Sequence, residues 1–112
     1  MTDCLFCKIV AGEIKPDLVY ENPNLLAFRD INPQAPFHVL IIPKQHIANL
    51  NQLDDSGLAG QLFLAAAEIA QAQGYAESGY RTVINCNDQG GQTVHHLHLH
   101  VLAGRQMHWP PG

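Results

Sequence analysis

Residues 93–102 read TVHHLHLHVL, and from residue 96 onward histidine alternates with a large aliphatic residue. Side chains of a β-strand point alternately to the two faces of its sheet, so residues of one type would share a face at steps of roughly 6.5 Å. A helix would scatter the same residues around its axis. The stretch therefore predicts a strand with a core face and a chemical face. The core face carries Leu97, Leu99 and Val101, and the chemical face carries His96, His98 and His100.

Two kinds of chemistry use such a row of imidazoles. Neighbouring histidines of one strand can bind a metal ion together with ligands from elsewhere in the chain. Alternatively, one imidazole can attack a phosphorus atom while its neighbours hold the phosphate oxygens. The row alone leaves both interpretations open.

The composition favours one compact domain. A chain of 112 residues with 46% hydrophobic and 14% charged residues can bury a single core. The net charge of −4 and the small number of basic residues argue against nucleic acid or an anionic membrane as a partner. No apolar run approaches the length of a membrane span, and the start has no basic, then apolar, signal. Three cysteines without such a signal indicate thiols in a reducing compartment, so we expect a cytoplasmic protein.

The remaining pattern predicts an α+β fold with about five short, mostly antiparallel strands, one short helix and one long helix. Turn residues at 22–24 separate two strands, and Pro33 and Pro36 mark a fixed loop before a buried central strand. Acidic caps at 54–55 precede apolar residues at helical spacing up to Gly74. The predicted strands are 17–21, 25–29, 37–42, 80–86 and the histidine strand, with a short helix at 4–11 and the long helix between the caps at 54–56 and Gly74. A polar, glycine-rich connection at 87–92 should close a hairpin between the last two strands.

Several motifs together resemble the Hint branch of the histidine triad (HIT) superfamily. The row fits the family signature His-φ-His-φ-His-φ-φ, in which φ is apolar. Segments 30–38, 42–44, 90–93 and 104–112 also look like this branch, so the resemblance covers essentially the whole chain. It implies one HIT domain over residues 1–112, a homodimer with the tail 105–112 at the dimer interface, and hydrolysis of purine nucleoside 5′-phosphoramidates. The nucleotide would be of the AMP or GMP type.

The residues support nucleophilic chemistry as well. A neutral imidazole is nucleophilic near pH 7, and its adduct with phosphorus is readily hydrolysed. His98, central in the row, is the predicted nucleophile, with His100 and His38 as donors to the phosphate oxygens. The amides around Gly91 and Gln92 would add backbone donors. From the resemblance, Thr93 faces the amine leaving group, Asn85 lines that pocket and His96 completes the triad.

The nucleoside-binding residues are predicted mainly from the resemblance. Asp30 matches the family's acceptor for the ribose hydroxyls, and a carboxylate suits two vicinal hydroxyls. Trp109, in the tail, would reach the partner's pocket. Core packing is the alternative role of the apolar residues that match the wall around the base. These are Phe6, Ile9, Ile14, Phe28 and Ile31.

Cys4 and Cys7 form a separate C-x-x-C signal. A free or redox-active thiol pair is one interpretation, and half of a tetrahedral zinc site is the other. The resemblance adds His46 and His96 as the remaining ligands of one structural zinc that is not required for catalysis.

Three alternatives stay open at this point. The chain could be a nucleotide-binding regulatory or scaffold module with incidental turnover, a diadenosine polyphosphate hydrolase, or a metal-dependent hydrolase that uses the histidine row as ligands. His100 argues against nucleotidyl transfer, because the transferase branch of the superfamily commonly replaces the third histidine.

Overall fold

A computed structural model describes residues 3–112, so the predicted domain start at Met1 and Thr2 lies outside the described residues. The five strands form one sheet in the order β1-β2-β3-β5-β4, and every neighbouring pair is antiparallel. The predicted α+β class is confirmed. The strands are β1 (Leu18–Glu21), β2 (Leu25–Arg29), β3 (Phe37–Pro43), β4 (Tyr80–Val83) and β5 (Leu99–Ala103). The helices are α1 (Leu5–Val10), α2 (Ser56–Ala72) and a short α3 (Asn87–Gly90), with a 3₁₀ turn at Leu50–Gln52.

The sheet is covered on both faces, which explains why β3 is buried along its whole length. Val39 and Ile41 point to the α2 side, where they pack with the buried face of that helix. Leu40 and Ile42 point to the other side and pack with Phe6 of α1. Asp55 caps α2 by accepting from the Leu58 amide at 3.1 Å. The buried positions of α2 are the six predicted from the spacing, Leu58, Leu62, Ala65, Ala66, Ile69 and Ala70.

Two predicted boundaries near the histidine row are wrong. The strand begins at Leu99 rather than at residue 96, because the β3–β5 ladder ends where Ile41 pairs with Leu99. Beyond that pair, Pro43 has no amide to donate, and its carbonyl accepts from the ring of His96 at 2.8 Å. The Leu97 amide instead donates to the carbonyl of Ile47. The predicted strand 80–86 also ends early, at Val83.

The predicted hairpin loop at 87–92 contains a helical turn, α3, which the composition did not reveal. Gly91 follows it with φ 82°, a left-handed conformation that favours glycine. Among residues 3–112, the helices include none that combines the length and the apolar character needed to cross a membrane.

Candidate active site and metal centre

A pocket of about 340 Å³ opens on the α1 side of the sheet. This volume is within the range of small-molecule sites. Its wall is mainly apolar, with polar groups at the ends of β2 and β5. Of the predicted residues, those that line it are Phe6, Ile9, Ile14, Phe28, Asp30, Ile31, Thr93, His98 and His100. Sequence reasoning missed Leu5, Lys15, Pro16, Asp17, Arg29, Leu40 and Val94, which also line it.

His98 lies at the floor of this pocket with its proton position fixed. Its Nδ1 is 2.7 Å from the carbonyl oxygen of His96, and a carbonyl can only accept, so Nδ1 carries the hydrogen. The neutral ring therefore keeps its lone pair on Nε2. Burial lowers the pKa of His98 despite this hydrogen bond and the nearby Asp30 carboxylate. Neutral His98 has the form that a nucleophile needs.

His100 lies beside it, with ring centroids 5.0 Å apart, in the opposite tautomer. The Gln34 amide donates to Nδ1 of His38 at 3.0 Å, so His38 carries its hydrogen on Nε2. That Nε2 lies 2.9 Å from Nδ1 of His100 and donates to it. His100 is left with a hydrogen on Nε2. Burial, together with His98 and His38, lowers the pKa of His100 to about 4.

Asp30 is held at the rim by its own turn. Its Oδ1 accepts from the Asn32 amide at 2.9 Å, and its Oδ2 lies 3.4 Å from Nε2 of His38. His38 itself is 5% exposed and does not line the pocket. The predicted donation from His38 to a phosphate oxygen does not fit this geometry, because its Nε2 hydrogen points to His100 and Asp30. Burial lowers the pKa of His38, with Asp30 opposing the shift.

Four of the predicted residues do not line the pocket, namely Asn85, Gly91, Gln92 and Trp109. The amides of Gly91 and Gln92 donate to the carbonyls of Asp88 and Asn87, so neither is directed to a ligand. The Gln92 side chain is buried and fastens the loop, donating to the carbonyls of Ala48 and Val94. Asn85 and Trp109 do not line this pocket either, and Trp109 is 83% exposed.

A second cluster contains Cys4, Cys7, His46 and His96, whose ligand atoms all lie within 4.8 Å of one another. Nδ1 of His96 is 3.3 Å from Sγ of Cys4, 3.5 Å from Sγ of Cys7 and 3.2 Å from Nδ1 of His46. The edges of a tetrahedral zinc site with these ligands measure roughly 3.3 to 3.8 Å. Because Nε2 of His96 donates to the Pro43 carbonyl, its lone pair is on Nδ1 and faces the cluster. These donors can hold a tetrahedral, thiophilic metal.

The two thiols of this cluster ionise poorly unless a cation is bound between them. Burial and the neighbouring Cys4 thiol raise the pKa of Cys7 to about 11. Two thiolates side by side are unfavourable, and a bound metal ion reverses that balance by deprotonating its ligands. His96, predicted to serve both the triad and the metal, has one ring nitrogen on the Pro43 carbonyl and the other in this cluster, and it does not line the pocket.

Asp30, His38 and His100 also lie close enough together to suggest a metal site. The hydrogen bonds argue against it. If Nε2 of His38 gave its lone pair to a metal, the hydrogen would move to Nδ1, where the Gln34 amide already donates. Two hydrogens would then face each other, so this group is better suited to passing hydrogen bonds than to holding a cation.

Comparison with known proteins gives one consistent family. The model of the HIT domain matches residues 11–107. A HIT-like protein of Synechococcus elongatus is 54% identical, over 98% of this chain and 97% of the relative. The crystal structure of a HIT family hydrolase from Legionella pneumophila has a TM-score of 0.96 at 57% identity, covering 98% of this chain and 100% of that one. A histidine triad nucleotide-binding protein from Candida albicans has a TM-score of 0.82 at 33% identity, covering 88% and 73%.

Proposed function

This chain belongs to the HIT domain family, and from that premise we propose that it is a Hint-type hydrolase of purine nucleoside 5′-phosphoramidates. One observation carries the proposal. In a pocket of nucleotide size, His98 presents a free Nε2 lone pair beside His100, which carries a hydrogen on Nε2. A nucleophile and a donor next to each other are what attack at phosphorus requires. The similarity to a HIT family hydrolase and to a nucleotide-binding relative supports the same class.

The reaction follows from these hydrogen positions. Nε2 of His98 attacks phosphorus, a nitrogen–phosphorus bond forms, and the bond to the amine breaks. The adduct ring is cationic. Its Nδ1 still donates to the His96 carbonyl, and this hydrogen bond stabilises the charge. His100 donates from Nε2 to a phosphate oxygen, and the Thr93 hydroxyl relays a proton from solvent to the departing amine. Water then attacks phosphorus and passes one proton through the Thr93 hydroxyl back to solvent, the nitrogen–phosphorus bond breaks, and His98 leaves as the neutral imidazole.

The nucleoside would occupy the rest of the pocket. Phe6, Ile9 and Phe28 are buried and provide an apolar wall for the base, whereas Ile14 and Ile31 are exposed at its mouth. A carboxylate oxygen of Asp30 would accept from the ribose hydroxyls. Phe6, Ile9 and Phe28 offer no polar group that would distinguish adenine from guanine, so we propose AMP and GMP derivatives as substrates.

Intact-mass measurement tests the reaction class. The variant His100→Ala should slow both steps, and mixing it with adenosine 5′-phosphoramidate should trap an adenylyl adduct. Peptide mapping should place the adduct on His98. The double variant His98→Asn/His100→Ala is the matched control and should give no adduct. The mechanism would be rejected if the slowed variant showed no adduct mass or carried the adduct on another residue. The nucleotide-binding module or a metal-dependent hydrolase would then remain.

We propose one structural zinc on Cys4, Cys7, His46 and His96. The donor set and the His96 tautomer support it. When bound, the ion would cross-link α1 to the sheet. It would not act as a Lewis acid at phosphorus, because the reacting Nε2 of His98 is not among its ligands. Zinc should copurify at one equivalent per chain from reduced protein prepared without chelator, and its complete absence would reject the site.

A homodimer through α2 and β4 is the third part of the proposal. β4 is an edge strand, and beside it lies an apolar groove of about 340 Å³. Phe63 and Leu64 of α2 are 52% and 72% exposed, which is unfavourable in water. Arg81 of β4 donates to the His108 carbonyl and holds the tail at this edge. The groove is lined by Leu50, Leu53, Ala59, Leu62, Phe63, Thr82, Ile84 and Leu99.

Light scattering tests this assembly. The wild type should be a dimer at micromolar concentration, and Phe63→Glu should shift it towards monomer. Removing residues 107–112 should change relative turnover among amines, because Trp109 would reach the partner's pocket, while attack by His98 persists. A monomeric wild type would contradict the interface, and unchanged amine selectivity would contradict the role of the tail.

A further inference from the structure

The metal cluster and the nucleotide pocket share helix α1. Cys4 is the N-cap of this helix, and its Sγ accepts from the Cys7 amide at 3.3 Å. Both thiols face outward to His46 and His96, which belong to the segments after β3 and before β5. Other residues of the same helix face the pocket. Leu5, Phe6 and Ile9 all line it.

α1 needs an external restraint to hold this wall. A six-residue helix is not stable by itself, because helix nucleation is costly. Phe6 and Ile9 are its two buried residues. The family match begins at residue 11, so α1 lies before the matched region. A four-ligand cluster at the first turn would fix the helix to two other segments of the chain.

Phe6 links this helix to the reacting histidine. Its ring stands at 90° to the ring of His98, with centroids 5.2 Å apart, and it also contacts His96 and Phe28 edge-on. The His96 carbonyl, in turn, accepts from Nδ1 of His98. One residue therefore ligates the cluster through its ring and orients the nucleophile through its backbone.

We infer that Cys4, Cys7 and His46 are positioning residues for purine recognition. A metal ion held by them with His96 pins α1, and α1 in turn preorganises the wall against which the base packs. The inference rests on the proposed function for the identity of the ligand. Without the metal, the side chains of Leu5, Phe6 and Ile9 would have to become ordered when the base binds. The conformational entropy lost by each of them weakens binding. The phosphate end should depend less on this helix, because His38 and His100 are held by the β3–β5 ladder and Nδ1 of His98 is held by the His96 carbonyl.

Calorimetry on the full chain separates the base from the phosphate. Zinc-loaded wild type, chelator-treated wild type and Cys4→Ser/Cys7→Ser are titrated with AMP and, separately, with ribose 5-phosphate, which lacks the base. Loss of metal should weaken AMP binding on the order of tenfold, from the ordering of three side chains. Ribose 5-phosphate should change less than about twofold. KM for the phosphoramidate should rise in parallel, with kcat changed less than about threefold.

Cys86→Ser is the matched control, because Cys86 is the third thiol and lies outside the cluster. It should keep zinc and AMP affinity. If the double serine variant does not fold, His46→Asn replaces it, since His46 is an exposed ligand. Hydrogen exchange of residues 5–11 provides a readout without any nucleotide and should rise on metal removal in every unloaded form.

The outcomes are distinguishable. Equal AMP affinity with and without metal, equal losses for AMP and ribose 5-phosphate, or unchanged exchange at 5–11 would each overturn the positioning role. Loaded protein that binds no AMP would instead overturn the proposed function, and the exchange measurement would then decide whether the cluster pins α1. A reduced chain that takes up no zinc would overturn the inference outright.

Discussion

Two clusters of imidazoles lie on the same face of the sheet, and their ring nitrogens approach one another at nearly the same distances. His46 and His96 are 3.2 Å apart at Nδ1, and His38 and His100 are 2.9 Å apart. Their chemistry nevertheless differs, because one backbone group sets each tautomer. The Pro43 carbonyl accepts from Nε2 of His96, so the Nδ1 lone pair of that ring faces the cysteine cluster. The Gln34 amide donates to Nδ1 of His38, so that ring keeps its hydrogen on Nε2 and can donate it. Distance alone therefore does not separate a metal site from a catalytic relay.

The largest expected effect follows from replacing His98, the proposed nucleophile beside His100. His98→Asn removes the Nε2 lone pair, so turnover of an adenosine phosphoramidate should fall by several orders of magnitude. AMP affinity should stay within a few fold, because the wall and Asp30 remain. Steady-state kinetics with parallel AMP titration checks both. Wild-type turnover in this variant would contradict the assignment of His98, and EDTA should leave the wild-type kcat largely unchanged.

A smaller effect sharpens the tautomer argument. His38→Leu removes the Nε2 donor, so the hydrogen of His100 is no longer directed to Nε2, and kcat should fall roughly 10- to 100-fold. His38→Gln keeps an N–H donor at a similar reach and should recover much of the loss. Single-turnover rates of the two variants, compared at equal zinc content, test this. Equal rates for Leu and Gln would mean that His38 contributes packing rather than a hydrogen bond.

Breaking the metal cluster should affect stability more than chemistry. Cys4→Ser/Cys7→Ser should release zinc and lower Tm by several degrees, at roughly 4 °C or more per kcal/mol lost in a domain of this size. kcat at saturating substrate should change less than about threefold. Metal analysis and thermal unfolding check this, with Cys86→Ser as the control that keeps both metal and Tm. An unchanged Tm after zinc loss would show that the cluster does not cross-link the fold.

The sequence predicts the fold better than the site for a physical reason. Alternation and helical spacing record which side chains are buried, and they predicted the β1–β2 hairpin, the central strand and the buried face of α2. The hydrogen positions of the site depend on backbone groups, the Gln34 amide and the Pro43 and His96 carbonyls, which no side-chain pattern reveals. The same limit explains why the strand start at His96 and the loop before Gln92 were predicted wrongly. At these places a side chain forms the hydrogen bond that another backbone group would form in a sheet: the His96 ring binds the Pro43 carbonyl, and the Gln92 side chain binds the Asn87 amide.

The smallest expected effect is a pH dependence of folding stability that comes from His100 in the pocket rather than from the cysteine cluster. His100 is half-buried with a pKa of about 4 in the folded chain, below the ordinary 6.5, because burial and the facing rings of His98 and His38 disfavour its charge more than Asp30 favours it. The unfolded chain therefore binds the proton first as pH falls. Stability should be fully present above pH 6.5 and be lost progressively between 6.5 and about 4.

The variant His100→Gln cannot take up this proton, so its stability should fall less steeply in that window. The difference in slope should be at most one proton, or about 1.4 kcal/mol per pH unit, and smaller where solvent reaches the ring. Denaturant unfolding of both proteins at equal zinc content measures it, because acid release of metal by the cysteine cluster then contributes equally and cancels. Parallel curves from pH 6.5 to 4 would mean that His100 is not held neutral by its surroundings, and the donor role assigned to its Nε2 hydrogen would lose its electrostatic basis.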